Sequence, residues 1–249
     1  MPAGPIARAF SQLGLTQTAA VSPTEVAVGQ LGAAKLAFLT ESFARDGVIV
    51  LGAVISAEAL DALRGIEDSN TVRQIIDPGW SGKITPHRHP GVLPQTVDNP
   101  VIEQVVAALL GVEQPGGAEL VSCSVYGGGG RTPGTDEVQD IHCDNHWDWA
   151  TPESAAAHGQ PFPHNTMNLV ANFGCEDITC EMAATSIWPR SHKIVAVAAH
   201  DRNMHDRGDH MNLEVHWGEA MQEAWERGET WPARMTLNKG AVCFRDSEC

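Results

Sequence analysis

From Glu119 to Arg245 the chain carries six short apolar, β-branched stretches separated by turn residues. They are Glu119–Tyr126, Val138–Asp144, Thr166–Phe173, Thr185–Trp188, Arg234–Leu237 and Ala241–Arg245. Runs of this length are too brief for packed helices and fit strands. Helical patterns occupy the residues before them. Helices first and many short strands afterwards is an α+β pattern. It leads us to expect a double-stranded β-helix (jelly-roll or cupin-like) core backed by N-terminal helices.

Ser22-Pro23-Thr24-Glu25 combines an N-cap serine, a proline at the first helical position and a glutamate placed for a capping box. Val28, Leu36, Leu39 and Phe43 follow at roughly helical spacing, with Gly32 on the same face, and Gly47 closes the predicted helix. Val48-Ile49-Val50-Leu51 reads as a short buried strand. A second helix is expected from Ser56, with Leu60 and Leu63 facing inward. A third opens at Asp98-Asn99-Pro100 and carries a stripe of Ile102, Val105, Val106, Leu109 and Leu110 up to Gly111. Residues 1–22, loose and rich in Ala, Gly and Pro, read as a flexible N-terminal arm, and 23–249 as a single domain.

The net charge of −15 argues against nucleic acid, whose binding needs clustered Lys and Arg. No run of eighteen apolar residues is present, so no membrane span is expected and a small-molecule substrate is the default partner. The six cysteines form no CxxC and follow no secretory signal, which points to free thiols in a reducing, cytoplasmic compartment. Gly127–Gly130 lacks a following Lys-Ser/Thr and reads as a mobile hairpin loop, not a phosphate cradle.

Chemistry concentrates in Gln139-Asp140-Ile141-His142-Cys143-Asp144. In a strand, residues i and i+2 share a face, so His142 and Asp144 would present an imidazole and a carboxylate to one site. That is two-thirds of a 2-His-1-carboxylate facial triad, the arrangement that leaves open positions on Fe(II). His-x-Asp alone is common by chance, and a surface pair is the bland alternative.

A second segment adds weight. Met167-Asn168-Leu169-Val170-Ala171-Asn172-Phe173-Gly174-Cys175-Glu176-Asp177 leads to Ala184-Thr185-Ser186-Ile187-Trp188-Pro189-Arg190-Ser191-His192. With the earlier Phe43–Leu51 opening, this order resembles the phytanoyl-CoA dioxygenase-like family of Fe(II)/2-oxoglutarate oxygenases, over roughly Phe38 to Phe244. The resemblance implies iron held by His142, Asp144 and a distal histidine. It also implies 2-oxoglutarate as cosubstrate, with Asn172 near it, and hydroxylation of a small organic substrate. Ala183 and Arg190 stand where the family has turn glycines, so either position could call for left-handed backbone from a non-glycine residue.

Lys239–Asp246 resembles the strand that precedes the family's distal histidine and cosubstrate-binding arginine. Both would lie beyond Cys249, so a C-terminally shortened oxygenase is expected. His200, His205, His210 or His216, folded back from a loop, is the other source of a third ligand. His192 reads as part of its turn, His87 and His89 as surface residues, and Trp147 and Trp149 as packing or pocket walls. Two further readings stay open: a catalytically inactive metal- or small-molecule-binding relative, and a different metal chemistry on a cupin-like barrel.

Overall fold

The computed structural model describes residues 14–69, 83–84, 98–111, 127–128, 156–157, 159, 169–182, 184–192 and 221–246. They form a mixed α/β arrangement. Helix α1 spans Pro23–Val28, α2 Ala33–Asp46, α3 Ala57–Ser69 and α4 Pro100–Leu110. The strands are β1 Ala19–Ala20, β2 Val48–Gly52, β3 Lys83–Ile84, β4 Gly127–Gly128, β5 Leu169–Phe173, β6 Ser186–Ile187, β7 Ala233–Arg234 and β8 Val242–Asp246. Among the described residues, no helix is long and apolar enough to cross a membrane.

The central sheet has the order β1-β2-β8-β5. Its middle strand β8 runs antiparallel to both neighbours, with Cys243 opposite Val50 on one side and Asn172 on the other. Because side chains alternate along a strand, the sheet sorts its residues onto two faces. Ile49, Leu51, Val242 and Phe244 face a helical layer, where they meet Leu39 and Phe43 of α2, Leu60 and Leu63 of α3, and Val101, Ile102 and Val105 of α4. Val48, Val50 and Cys243 face the other way, onto Ile187, Met235, Leu237 and Ala241. A strand covered on both faces has no place for polar alternation, which is why Val48-Ile49-Val50-Leu51 is apolar throughout. Each such large side chain, fully buried, contributes about 1.5–3 kcal/mol.

The second apolar cluster is closed by short pairings. β6 and β7 are antiparallel, with Ile187 opposite Ala233, and Ile178 bridges Leu237. The remaining pair, β3 with β4, sets Lys83 opposite Gly128. Gly127 and Gly128 therefore belong to a strand pair, where a mobile hairpin loop was expected. Two adjacent glycines expose backbone donors and acceptors without side-chain hindrance, and Lys83–Ile84 supplies their partners.

Two further expectations are corrected. The arm expected over 1–22 joins the fold from Gly14 onward: Leu15 N donates to Arg234 O at 2.7 Å, and β1 pairs parallel with β2. An apolar edge strand leaves a row of unpaired backbone groups, and this segment caps it. Thr18 takes part twice, its N donating to Val50 O at 2.8 Å and its Oγ1 accepting from Val50 N at 3.0 Å.

The helix expected from Ser22 to Gly47 is two helices. The capping box at Ser22 forms, with Glu25 N donating to Ser22 Oγ and Ser22 N to Glu25 Oε2. The helix then stops at Gly29, which takes left-handed backbone (φ 71). Val28 is 67% exposed, so the periodicity that linked it to Leu36 crossed a break. Gly32 caps the second helix and is not part of its inner face.

Candidate functional site

β5 and β8 bring one polar pair onto the face of the sheet that bears the second cluster. Register sets Asn172 opposite Cys243 and Val170 opposite Arg245, so Asn172 and Arg245 are diagonal neighbours on one face. Arg245 Nε donates to Asn172 Oδ1 at 3.2 Å. Cys243, between them and Val50, is fully buried, whereas Asn172 and Arg245 are half-buried. The pair therefore marks the margin where apolar packing ends. Arg245 has further interactions besides this one.

The chemistry offered there is one-sided. A guanidinium has donors and no acceptor. With Asn172 Oδ1 turned to it, the amide's remaining groups are the two Nδ2 donors, and among the described residues Asn172 has no other partner. Such a corner suits a carboxylate or another acceptor-rich group.

The turn after β6 is built from Trp188-Pro189-Arg190-Ser191-His192. Trp188 is buried and meets Trp225 edge to face at 6.3 Å. Arg190 adopts φ 73, the left-handed geometry that glycine ordinarily supplies. It is held by three contacts. Its N donates to Asp46 O at 2.7 Å, its Nε to Asp46 Oδ1 at 3.1 Å, and its guanidinium lies 5.1 Å over the Trp231 ring. Burial pushes the Asp46 carboxyl up, but hydrogen bonds from Arg45 and Arg190 outweigh it and hold the group below its ordinary value. His192 is half-buried within this turn.

A cleft of about 340 Å³ is lined by Leu15, Val50, Asp177–Glu181 and Thr236–Asn238. Asp177 Oδ1 accepts from Lys239 N at 2.7 Å, so that carboxylate closes a loop. The Thr179 hydroxyl, with Glu181's own backbone, holds the Glu181 carboxyl below its usual value. Neither Asn172 nor Arg245 lines this cleft.

The iron ligands expected at His142 and Asp144 lie outside the described residues. So do His87, His89, His200, His205, His210, His216, Trp147 and Trp149. Among the described residues, no group of three or more His, Cys, Asp or Glu is placed to hold a metal. Of the expected site residues the structure thus describes Asn172, and it sets beside it Arg245, which sequence reasoning treated only as the end of a strand. The alternation of Cys243 and Arg245 could have flagged it, but the register against β5 could not be read locally.

No family model matches the sequence, the phytanoyl-CoA dioxygenase-like family included. The chain is similar in structure to SnoN, the non-heme alpha ketoglutarate dependent epimerase from nogalamycin biosynthesis. The identity is 15% and the TM-score 0.52, over 87% of this chain and 75% of that one. The likeness is one of fold.

Proposed function

We propose that this chain is a non-haem Fe(II)/2-oxoglutarate-dependent oxygenase that hydroxylates a small organic substrate on a double-stranded β-helix core. The observation that carries the reading is the fold likeness to a 2-oxoglutarate-dependent enzyme across most of the chain. The independent motif order in the sequence, His-x-Asp followed by the Asn172 strand and the Pro-x-Ser-His turn, supports it.

The donor set suits the groups proposed. One imidazole and one carboxylate at i and i+2, His142 and Asp144, are the hard and borderline ligands that Fe(II) takes. Asn172, whose amide oxygen is taken by Arg245, offers its NH2 donors to a carboxylate, as 2-oxoglutarate requires. Bound iron and its cosubstrate would supply the oxidising power for removing hydrogen from an unactivated carbon. The protein's own share is to fix the ligands, bind the cosubstrate carboxylate and keep the apolar face of Val48, Val50 and Cys243 free of water. The net charge of −15 fits a partner other than nucleic acid.

The test is succinate formation from 2-oxoglutarate with Fe(II) and ascorbate, beside His142→Ala and Asp144→Asn controls. Turnover that disappears in both controls supports the reading. Folded wild-type protein that forms no succinate sinks it. Epimerisation, the activity in the neighbour's name, would be a second ending of the same hydrogen removal, in which a hydrogen atom returns to the opposite face and the ascorbate supplied serves as reductant. A product one oxygen heavier than substrate indicates hydroxylation, and one of unchanged mass with an inverted centre indicates epimerisation.

A further inference from the structure

We infer that Arg245 is a positioning residue, which fixes the orientation of the Asn172 amide so that its NH2 group is offered to the carboxylate of the cosubstrate. The inference rests on the proposed 2-oxoglutarate reading and adds a residue to it.

A free asparagine amide can turn either its oxygen or its NH2 toward a ligand, because the two ends are nearly the same size. Turned one way it repels a carboxylate, and turned the other it donates two hydrogen bonds. The neighbour decides which. Arg245 Nε lies 3.2 Å from Asn172 Oδ1, and a guanidinium can only donate, so the oxygen must face Arg245. The NH2 is then left to face away, whatever else Arg245 contacts. Placement is equally constrained. Both residues sit on adjacent antiparallel strands, locked by the pairings Val170–Arg245 and Asn172–Cys243, with Cys243 fully buried between them and β2. Sites built on paired strands hold their geometry better than sites on loops. Half-burial strengthens the hydrogen bond relative to an exposed one, since the local dielectric is lower.

The experiment uses the full chain with 2-oxoglutarate and Zn(II), an ion without redox chemistry. Calorimetry gives the affinity, and side-chain amide NMR follows the Asn172 NH2 pair, assigned by its loss in Asn172→Ala. We expect the Asn172 signals to move on titration of the wild type. Loss of one charge-assisted contact weakens binding about tenfold in Arg245→Gln, which offers both a donor and an acceptor, and about tenfold in Asn172→Ala. Arg245→Lys, still a pure donor, keeps binding within about threefold of wild type.

The decisive variant is the double one. If Arg245 acts through Asn172, Arg245→Gln with Asn172→Ala loses about tenfold in all, because the second change has nothing left to remove. Losses that multiply to about a hundredfold would show Arg245 acting as an independent charge and overturn the inference. So would wild-type Asn172 signals that stay put while calorimetry reports saturation, a result that needs Asn172→Ala only to fold well enough to assign the signals. Failure of the wild type to bind 2-oxoglutarate at all would instead remove the functional reading beneath it.

Discussion

Replacing Arg190 separates backbone strain from side-chain contact at the turn that follows β6. Left-handed backbone costs an L-residue roughly 1–2 kcal/mol relative to glycine, and Arg190 sits there at φ 73. Its side chain works against that cost. The ion pair to Asp46 involves a guanidinium side chain 40% exposed, so solvent screening limits it to about 0.5 kcal/mol. The stacking on Trp231 at 5.1 Å contributes about 0.5–1 kcal/mol. Asp46 is not orphaned by the change, because Arg45 Nη2 donates to it at 2.6 Å.

Arg190→Ala loses both contacts and keeps the strain, a destabilisation of about 1–1.5 kcal/mol. Arg190→Gly loses the same contacts and escapes the strain, less about 0.5–1 kcal/mol for the greater freedom of glycine in the unfolded chain. The glycine variant should therefore be more stable than the alanine variant by about 0.7 kcal/mol, the middle of a range of roughly 0–1.5 kcal/mol. For a chain of this size that is roughly 1–4 °C in Tm. Urea midpoints at a common slope are the assay. An alanine variant as stable as the glycine one, or more so, would refute the strain argument. An alanine variant indistinguishable from wild type would refute the contact argument.

Gly240→Ala should destabilise by about 2–3 kcal/mol, read as a lower urea midpoint. A Cβ there would meet Ile55 O at 2.5 Å in a residue already at φ 88, and the Gly240 carbonyl accepts from both Val54 N and Ile55 N. Glu25, hydrogen-bonded by Lys35 and by the backbone and hydroxyl of Ser22, has its pKa held down to about 2 from an ordinary 4.5. A depressed carboxyl gives stability that is present above about pH 4.5 and lost as pH falls toward 2. Glu25→Gln should flatten that part of the stability–pH profile, measured by thermal unfolding across the range, and an unchanged slope would show that other carboxylates set it.

The sequence by itself determined the features whose partners lie within a few residues. The capping box at Ser22 closes over three residues, and Asn99 caps α4 through Val101 N and Ile102 N. The apolar run of β2 and the inward Leu60 and Leu63 follow from composition and spacing alone. The left-handed turn at Arg190 was legible only through the resemblance to a family that carries glycine at that place. Tertiary structure decided the rest. Nothing in Ala19-Ala20 announces a strand, and it becomes one because β2 presents an edge that must be paired. Gly127 and Gly128 pair with Lys83 and Ile84, more than forty residues away in sequence. Val28 kept the helical period and still fell outside the core, since periodicity does not report a left-handed glycine between two helices. Arg245 meets Asn172 across 73 residues of chain because of a register that the two buried faces of the sheet fix together. Local hydrogen bonds need only neighbours in sequence. Register needs the whole packed sheet, where a slip of one residue would turn Phe244 out of the core and Arg245 into it.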